Sequence, residues 1–215
     1  KYKPSIDPFV QILDEKRRAL LPLFARWKGR FYLAGGTALA LQIGHRDSID
    51  FDFFTGEPID TEALYAECTA AFAGRAPVKT QEEKNTLGIA VDDARISFMS
   101  FQYPLVRELI DEPFLALASP EDIACMKCSA ITGRSAMKDY IDLFFLLKQL
   151  SPAEMLALTA QKFPALDQNL ILKSLVYFDD VREEPIRFAL GNETPWPAVQ
   201  NALKESVAAY ERAET

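Results

Sequence analysis

Apolar positions recur along this chain at two periods, and the change of period marks out its elements. From Asp7 to Trp27, the apolar residues Phe9, Ile12, Leu13, Leu20, Leu23, Phe24 and Trp27 fall at helical spacing. In this reading Asp7 caps the helix, Pro8 takes the first helical position and Pro22 kinks or splits it. "GRFYLAGG" predicts a short buried strand, Thr37 to Ile43 a helix ended by Gly44, and "SIDFDFF" a second, strictly alternating strand. Asp60 to Ala73 reads as an amphipathic helix with Leu64, Cys68, Ala71 and Phe72 inward. Val78 to Asn85 predicts a further strand, and "LGIAVDDARISFMSF" a hairpin around an Asp-Asp turn.

After Pro104 the period becomes helical. Ser119 to Asp122 and Ser151 to Glu154 carry capping-box signatures with Pro at the first helical position. Between them lie two helices around Gly133, and others are predicted from Asp167 to Tyr177 and from Trp196 to Arg212. The expected fold is α+β. Residues 1–110 would form the α+β core with its N-terminal helix, and residues 111–215 a helical region packed beside it.

The candidate chemistry begins with Asp50 and Asp52. On a strand, residues two apart share a face, so these carboxylates project together while Ile49, Phe51 and Phe53 project to the other side. Adjacent carboxylates repel, and each disfavours ionisation of the other. Solvent, a basic neighbour or a cation must compensate. Mg²⁺ is held by one or two carboxylates plus substrate phosphates, so the pair suggests a metal site for phosphoryl chemistry. The plain alternative is an exposed polar strand face. Gly35 and Gly36 stand where the first strand meets the next helix. Glycine permits positive φ and close ligand approach, and a helix N-terminus suits a phosphate. Thr37 could cap that helix or touch a phosphate oxygen, and a tight strand-to-helix turn alone would also explain the glycines. The segment is neither a dinucleotide fingerprint nor a P-loop.

Taken together, "LAGGTALAL", "GHRDSIDFDFF" and "KDYIDL" resemble the AbiEii/AbiGii toxin family of bacterial nucleotidyltransferases, within the DNA polymerase β-type fold. The resemblance covers residues 30 to 150. It implies a mixed sheet flanked by helices and a transferase acting on a nucleoside triphosphate, with RNA or protein as acceptor and an antitoxin as partner. It gives Gly35, Gly36 and Thr37 the phosphate, and Asp50 and Asp52 the Mg²⁺. Lys127 would bind triphosphate and Asp139 would orient a catalytic group. Arg46 offers a guanidinium fork that suits a triphosphate or an acidic neighbour. His45, the only histidine, either shapes its loop or contacts substrate. On the residues alone, Lys127 either snorkels or reaches a phosphate, and Asp139 and Asp142, three apart on nearly one helical face, read as helix-cap or salt-bridge residues.

One part of the family pattern is replaced. The fold class carries a third carboxylate on a later strand between apolar residues, and the best match here, Ile96-Ser97-Phe98, has serine there. Asp92 and Asp93 fall in the hairpin turn, and Glu82 or Glu83 would be substitutes from elsewhere. A weakened or inactive relative, keeping nucleotide binding or partner docking, is therefore the second reading. Cys125 and Cys128 form a C-x-x-C read as small apolar residues one helical turn apart, since a zinc site needs two further ligands.

Charge and composition narrow the partners. The 215 residues carry 31 acidic and 24 basic side chains, a net charge of −7, which argues against broad non-specific nucleic-acid binding. Three cysteines suggest no disulfide framework, and no apolar run approaches membrane-helix length. "KYKPSIDPFV" shows no signal-peptide core, so the expected location is cytoplasmic.

Overall fold

The computed structural model describes residues 7–189 and 191–213. The leader reading of residues 1–6 and the side-chain roles read for Asp7 and Pro8 lie outside the described residues. The chain divides into a sheet unit, ending at Ala118 but omitting 105–107, and a helical unit of 105–107 and 119 onward.

The N-terminal stretch is not one helix. It breaks into a 3₁₀ segment Asp7–Ile12, a single turn α1 at Glu15–Arg18 and a 3₁₀ segment Leu21–Arg26. Asp14 causes the first break. Its extended backbone leaves the helix, and its carboxylate accepts from Arg17 N at 2.9 Å as an N-cap. Pro22 opens the second 3₁₀ segment. The apolar spacing keeps its purpose, because Leu13, Leu20, Phe24 and Trp27 are all buried.

Strand β1 (Tyr32–Ala34) leads into α2 (Gly35–Ile43), which Gly44 ends in the left-handed region at φ 63°. Then come β2 (Asp50–Thr55), α3 (Thr61–Ala71), β3 (Val78–Glu83), β4 (Thr86–Val91) and β5 (Ala94–Ser100). Two short strands, β6 (Ile110–Asp111) and β7 (Ala116–Leu117), complete a mixed sheet in the order β3-β4-β5-β2-β1-β7-β6. The sheet thus runs past residue 110, the boundary expected from sequence. Two-residue strands are too short to show a period, which is why that stretch read as helical territory.

β2 pairs antiparallel with β1 and parallel with β5. On its core face, Phe51 and Phe53 meet Phe24 at 4.9 and 5.0 Å between ring centroids, and Trp27 meets Phe98 at 5.3 Å. Each such buried ring contributes about 1.5–3 kcal/mol. Ile49, expected on that face, lies before the strand begins and is 54% exposed.

The helical unit contains α4 (Pro120–Gly133), α5 (Met137–Leu146), α6 (Pro152–Lys162), α7 (Gln168–Val176) and α8 (Trp196–Ala213). Ser119 and Ser151 cap α4 and α6 through their side chains. Asp122 explains why residues 105–107 belong here. Its carboxylate accepts from Val106 N at 2.9 Å and Arg107 N at 3.1 Å, and pairs with the fully buried Lys162 at 2.8 Å. Among the described residues, no helix is long and apolar enough to cross a membrane.

Candidate active site

Three local features set Asp50 and Asp52 side by side in the sheet unit. The period of β2 puts both half-buried carboxylates on the face opposite Phe51 and Phe53. Pairing of Ala34 with Asp52 brings the β1–α2 junction next to Asp52. Parallel pairing with β5 sets Ser97 opposite Asp52, and the Ser97 hydroxyl donates to Asp52 Oδ1 at 2.5 Å. No cation lies within salt-bridge distance of Asp50 among the described residues.

The glycine pair answers to these groups. Gly35 has φ +72°, and a Cβ there would stand 3.1 Å from Asp52 Oδ2. A Cβ on Gly36 would stand 2.6 Å from Arg46 Nη2 and 3.1 Å from Ser48 Oγ. So one glycine admits a carboxylate and the other a guanidinium. Ala34, at the N-cap of α2, supplies no side-chain cap. The first-turn N–H groups and the positive end of the helix dipole therefore lie beside the aspartate pair, where an anion is favoured.

Thr37 and Arg46 sit deeper than the sequence suggested. Thr37 is 1% exposed and does not occupy the N-cap. Its hydroxyl donates to the main-chain oxygen of Asp50 and lies 2.8 Å from Ser48 Oγ, so it ties α2 to the start of β2. Arg46 is buried, donates to Asp47 O at 2.9 Å and lies against Gly36. His45 is buried beside it. The structure thus gathers Gly35, Gly36, Thr37, Arg46, Ser48, Asp50, Asp52 and Ser97 into one site.

The substitute acids lie elsewhere. Glu82 and Glu83 belong to β3, three strands from β2, a separation of about 14 Å across the sheet. Asp92 and Asp93 occupy the β4–β5 turn and pair with Arg75 and Lys16, each at 2.5 Å. The donor set still fits Mg²⁺. Two hard carboxylates share one face, and a Cβ would fill the space that Gly35 leaves beside Asp52 Oδ2. Among the described residues no group of three or more His, Cys, Asp and Glu side chains could hold a metal, so substrate oxygens would complete the coordination.

Lys127 and Asp139 belong to a second cluster, in the helical unit. Lys127 Nζ lies 2.6 Å from both Asp139 Oδ1 and Asp142 Oδ2. Arg134, which the sequence reading missed, donates to Asp139 Oδ2 through Nε at 2.7 Å. Burial pushes the Lys127 ammonium pKa down, but Asp142 and Asp139 outweigh it and hold the value above the ordinary one. Burial pushes Asp139 up, but Lys127 and Arg134 hold it below the ordinary carboxylate range. Nothing in the spacing of Arg134 singled it out, because it follows the end of α4 and joins the cluster only through the turn into α5. Burial pushes the Cys125 and Cys128 thiols up to about 11 and about 12, which suits inert apolar packing.

A family model described as nucleotidyl transferase AbiEii toxin, type IV toxin–antitoxin system, matches residues 18–211. The chain belongs to the AbiEii family. It is 37% identical to the uncharacterized protein aq_aa25 of Aquifex aeolicus (strain VF5), over 84% of this chain and 87% of that one. Among solved structures it is similar to MenT4, a nucleotidyltransferase toxin of Mycobacterium tuberculosis H37Rv, with TM-score 0.64 and 15% identity, covering 94% of this chain and 87% of that one. It is also similar to a candidate nucleotidyltransferase from H. pylori, with TM-score 0.59 and 18% identity, covering 94% and 97%. These likenesses give the AbiEii chain an α+β nucleotidyltransferase-like fold. The family implies a nucleoside triphosphate substrate and an antitoxin context.

Proposed function

We propose that this AbiEii chain is a Mg²⁺-dependent toxin that transfers a nucleotide from a nucleoside triphosphate to an RNA or protein acceptor. The observation that carries the reading is the Asp50/Asp52 pair, on one strand face beside an uncapped helix start, with Asp50 lacking a cationic partner among the described residues. Asp50 and Asp52 would hold the metal. When bound, Mg²⁺ supplies charge neutralisation for the attacking and leaving oxygens of an in-line displacement. The α2 start at Gly35 and Gly36 orients the triphosphate through main-chain N–H groups. Thr37 and Arg46 act from beneath as positioning residues, and Ser97 fixes one oxygen of Asp52 so that the other faces the Gly35 turn.

The family likeness extends the proposal to Lys127 and Asp139. Lys127 would bind triphosphate, and Asp139 would orient a catalytic group. Two carboxylates already hold the Lys127 ammonium at 2.6 Å, so a phosphate must compete with them for its protons. The second reading, a weakened or inactive relative, is favoured by one observation: Ser97 stands opposite Asp52 with a hydroxyl where the fold class carries an acid. Losing a general base removes about 10²–10⁴ in rate.

A thermal-shift screen of the four ribonucleoside triphosphates, with and without Mg²⁺, tests binding, because a ligand of the folded state raises Tm. A Mg²⁺-dependent rise is expected with at least one of them. Labelled-nucleotide transfer onto mixed RNA and protein then separates the readings. Incorporation supports the transferase, and binding without incorporation supports the inactive relative. No rise with any triphosphate would sink the transferase and leave, of the second reading, only partner docking.

A further inference from the structure

The aspartate pair is aimed by contacts outside its own strand, and one of these comes from the N-terminal turn. Arg17, on α1, is 7% exposed. Its Nε donates to Ile49 O at 2.9 Å, on the residue immediately before Asp50. Its Nη2 donates to Asp93 O at 2.6 Å, on the residue immediately before β5. Its Nη1 pairs with Asp14, whose carboxylate also caps α1. One guanidinium therefore grips the starting ends of β2 and β5. These are the two parallel strands that carry Asp50, Asp52 and Ser97.

The consecutive carbonyls of Ile49 and Asp50 are thus both held by side chains from outside the sheet. Arg17 takes the first from α1 and Thr37 takes the second from α2. Lys16 adds a tie from the same turn to the Asp93 carboxylate at 2.5 Å. A guanidinium suits this task because its donors sit in a rigid planar fork that can satisfy two fixed oxygens at once. Lysine gathers its three donors on one nitrogen at the end of a flexible stem, so it fixes the separation between two carbonyls less rigidly.

We infer that Arg17 is a positioning residue for the nucleotidyl-transfer site: it clamps β2 to β5 at their starting ends and so fixes Asp50 and Asp52 against Ser97. The role rests on the transferase reading. It acts through the strands, since Arg17 is committed to Ile49 O, Asp93 O and Asp14 and touches none of the site carboxylates. Small displacements matter at such a site, because a misplacement of about 1 Å costs on the order of 10²-fold in rate.

The test uses the full chain with Arg17→Met and Arg17→Lys. Two quantities are measured: the ligand-free Tm, and the Mg²⁺ concentration giving half of the Tm rise produced by the most stabilising ribonucleoside triphosphate. Arg17→Met is expected to fold and to need about fivefold or more Mg²⁺, and Arg17→Lys to fall between it and the parent. A lower Tm with an unchanged Mg²⁺ midpoint would overturn the inference, because Arg17 would then serve stability alone. If Arg17→Met does not fold, Arg17→Lys is read by the same criterion. If the parent shows no Mg²⁺-dependent rise, the transferase reading fails, and amide hydrogen exchange judges the clamp separately. Faster exchange at residues 49–52 and 94–96 in the variant supports the clamp, and unchanged exchange overturns it.

Discussion

This molecule holds two pairs of neighbouring aspartates, and their surroundings are opposite. Asp139 and Asp142 lie three apart on α5, fully buried, with Lys127 between them and Arg134 on Asp139. Their charges are matched inside the protein. Asp50 and Asp52 lie two apart on β2, half-buried, with a serine hydroxyl on Asp52 and no cation at Asp50 among the described residues. The difference teaches where to look for chemistry. A carboxylate pair that the fold has already neutralised stabilises packing, whereas Asp50, with no cation beside it among the described residues, is poised to take positive charge from a ligand.

The largest expected effect comes from applying the same change to both pairs. Asp139→Asn with Asp142→Asn leaves the Lys127 ammonium buried without its two counter-ions. We expect a loss of about 3–5 kcal/mol, read as a lower midpoint in urea unfolding. Asp50→Asn with Asp52→Asn relieves repulsion, so the midpoint should hold or rise while Mg²⁺-dependent nucleotide binding and transfer disappear. Loss of stability from the sheet pair, or retained transfer, would erase the contrast.

Acid and alkali sharpen the comparison from the other side. Asp139 is held below its ordinary value of 3.8. Its contribution is present above that value and is lost as pH falls through the lower folded value. Lys127 is held above its ordinary value of 10.5, so its contribution is complete below 10.5 and is lost as pH rises through the higher folded value. The Lys127–Asp139 pair should therefore contribute evenly between those limits, while the buried thiols of Cys125 and Cys128, raised from 9.0 to about 11 and about 12, make the helical unit lose stability as pH rises above about 9. Trp196 fluorescence in a Trp27→Phe variant would follow it, since these are the only two tryptophans.

Smaller effects test the site's supports. Gly35→Ala must adopt φ +72° with its Cβ 3.1 Å from Asp52 Oδ2. A cost of about 1–2 kcal/mol is expected for the left-handed conformation, together with weaker Mg²⁺ binding. Unchanged thermal stability would show that the turn relaxes without cost. Ser97→Asp should set a third carboxylate beside Asp52 and tighten Mg²⁺. In the weakened-transferase reading it also raises labelled-nucleotide transfer by supplying a proton acceptor. No rise in transfer would favour the inactive relative. Failure to fold would show that the face cannot hold a third charge.

Much of the fold was legible because its signals are local. The capping serines at 119 and 151, the Asp92-Asp93 turn and the Gly44 stop each act within a few residues of themselves. What was misread depended on competition or brevity. The N-terminal period promised one helix, but Asp14 satisfied Arg17 N and broke it. β6 and β7 were too short to declare themselves. Arg17 itself carried a faint signal: it falls four residues after Leu13 and three before Leu20, a charge on an otherwise apolar helical stripe.

The sequence alone determined that Asp50 and Asp52 share a face, because side chains on a strand alternate whatever surrounds them. It also determined that a glycine turn precedes them and that serine stands at position 97. Only the tertiary structure decided why each glycine is needed, since Gly35 yields to a carboxylate seventeen residues on and Gly36 to the guanidinium of Arg46. It alone decided that Lys127 is neutralised while Asp50 has no cation beside it among the described residues, because the balance of charge around a group depends on which distant segments are packed beside it.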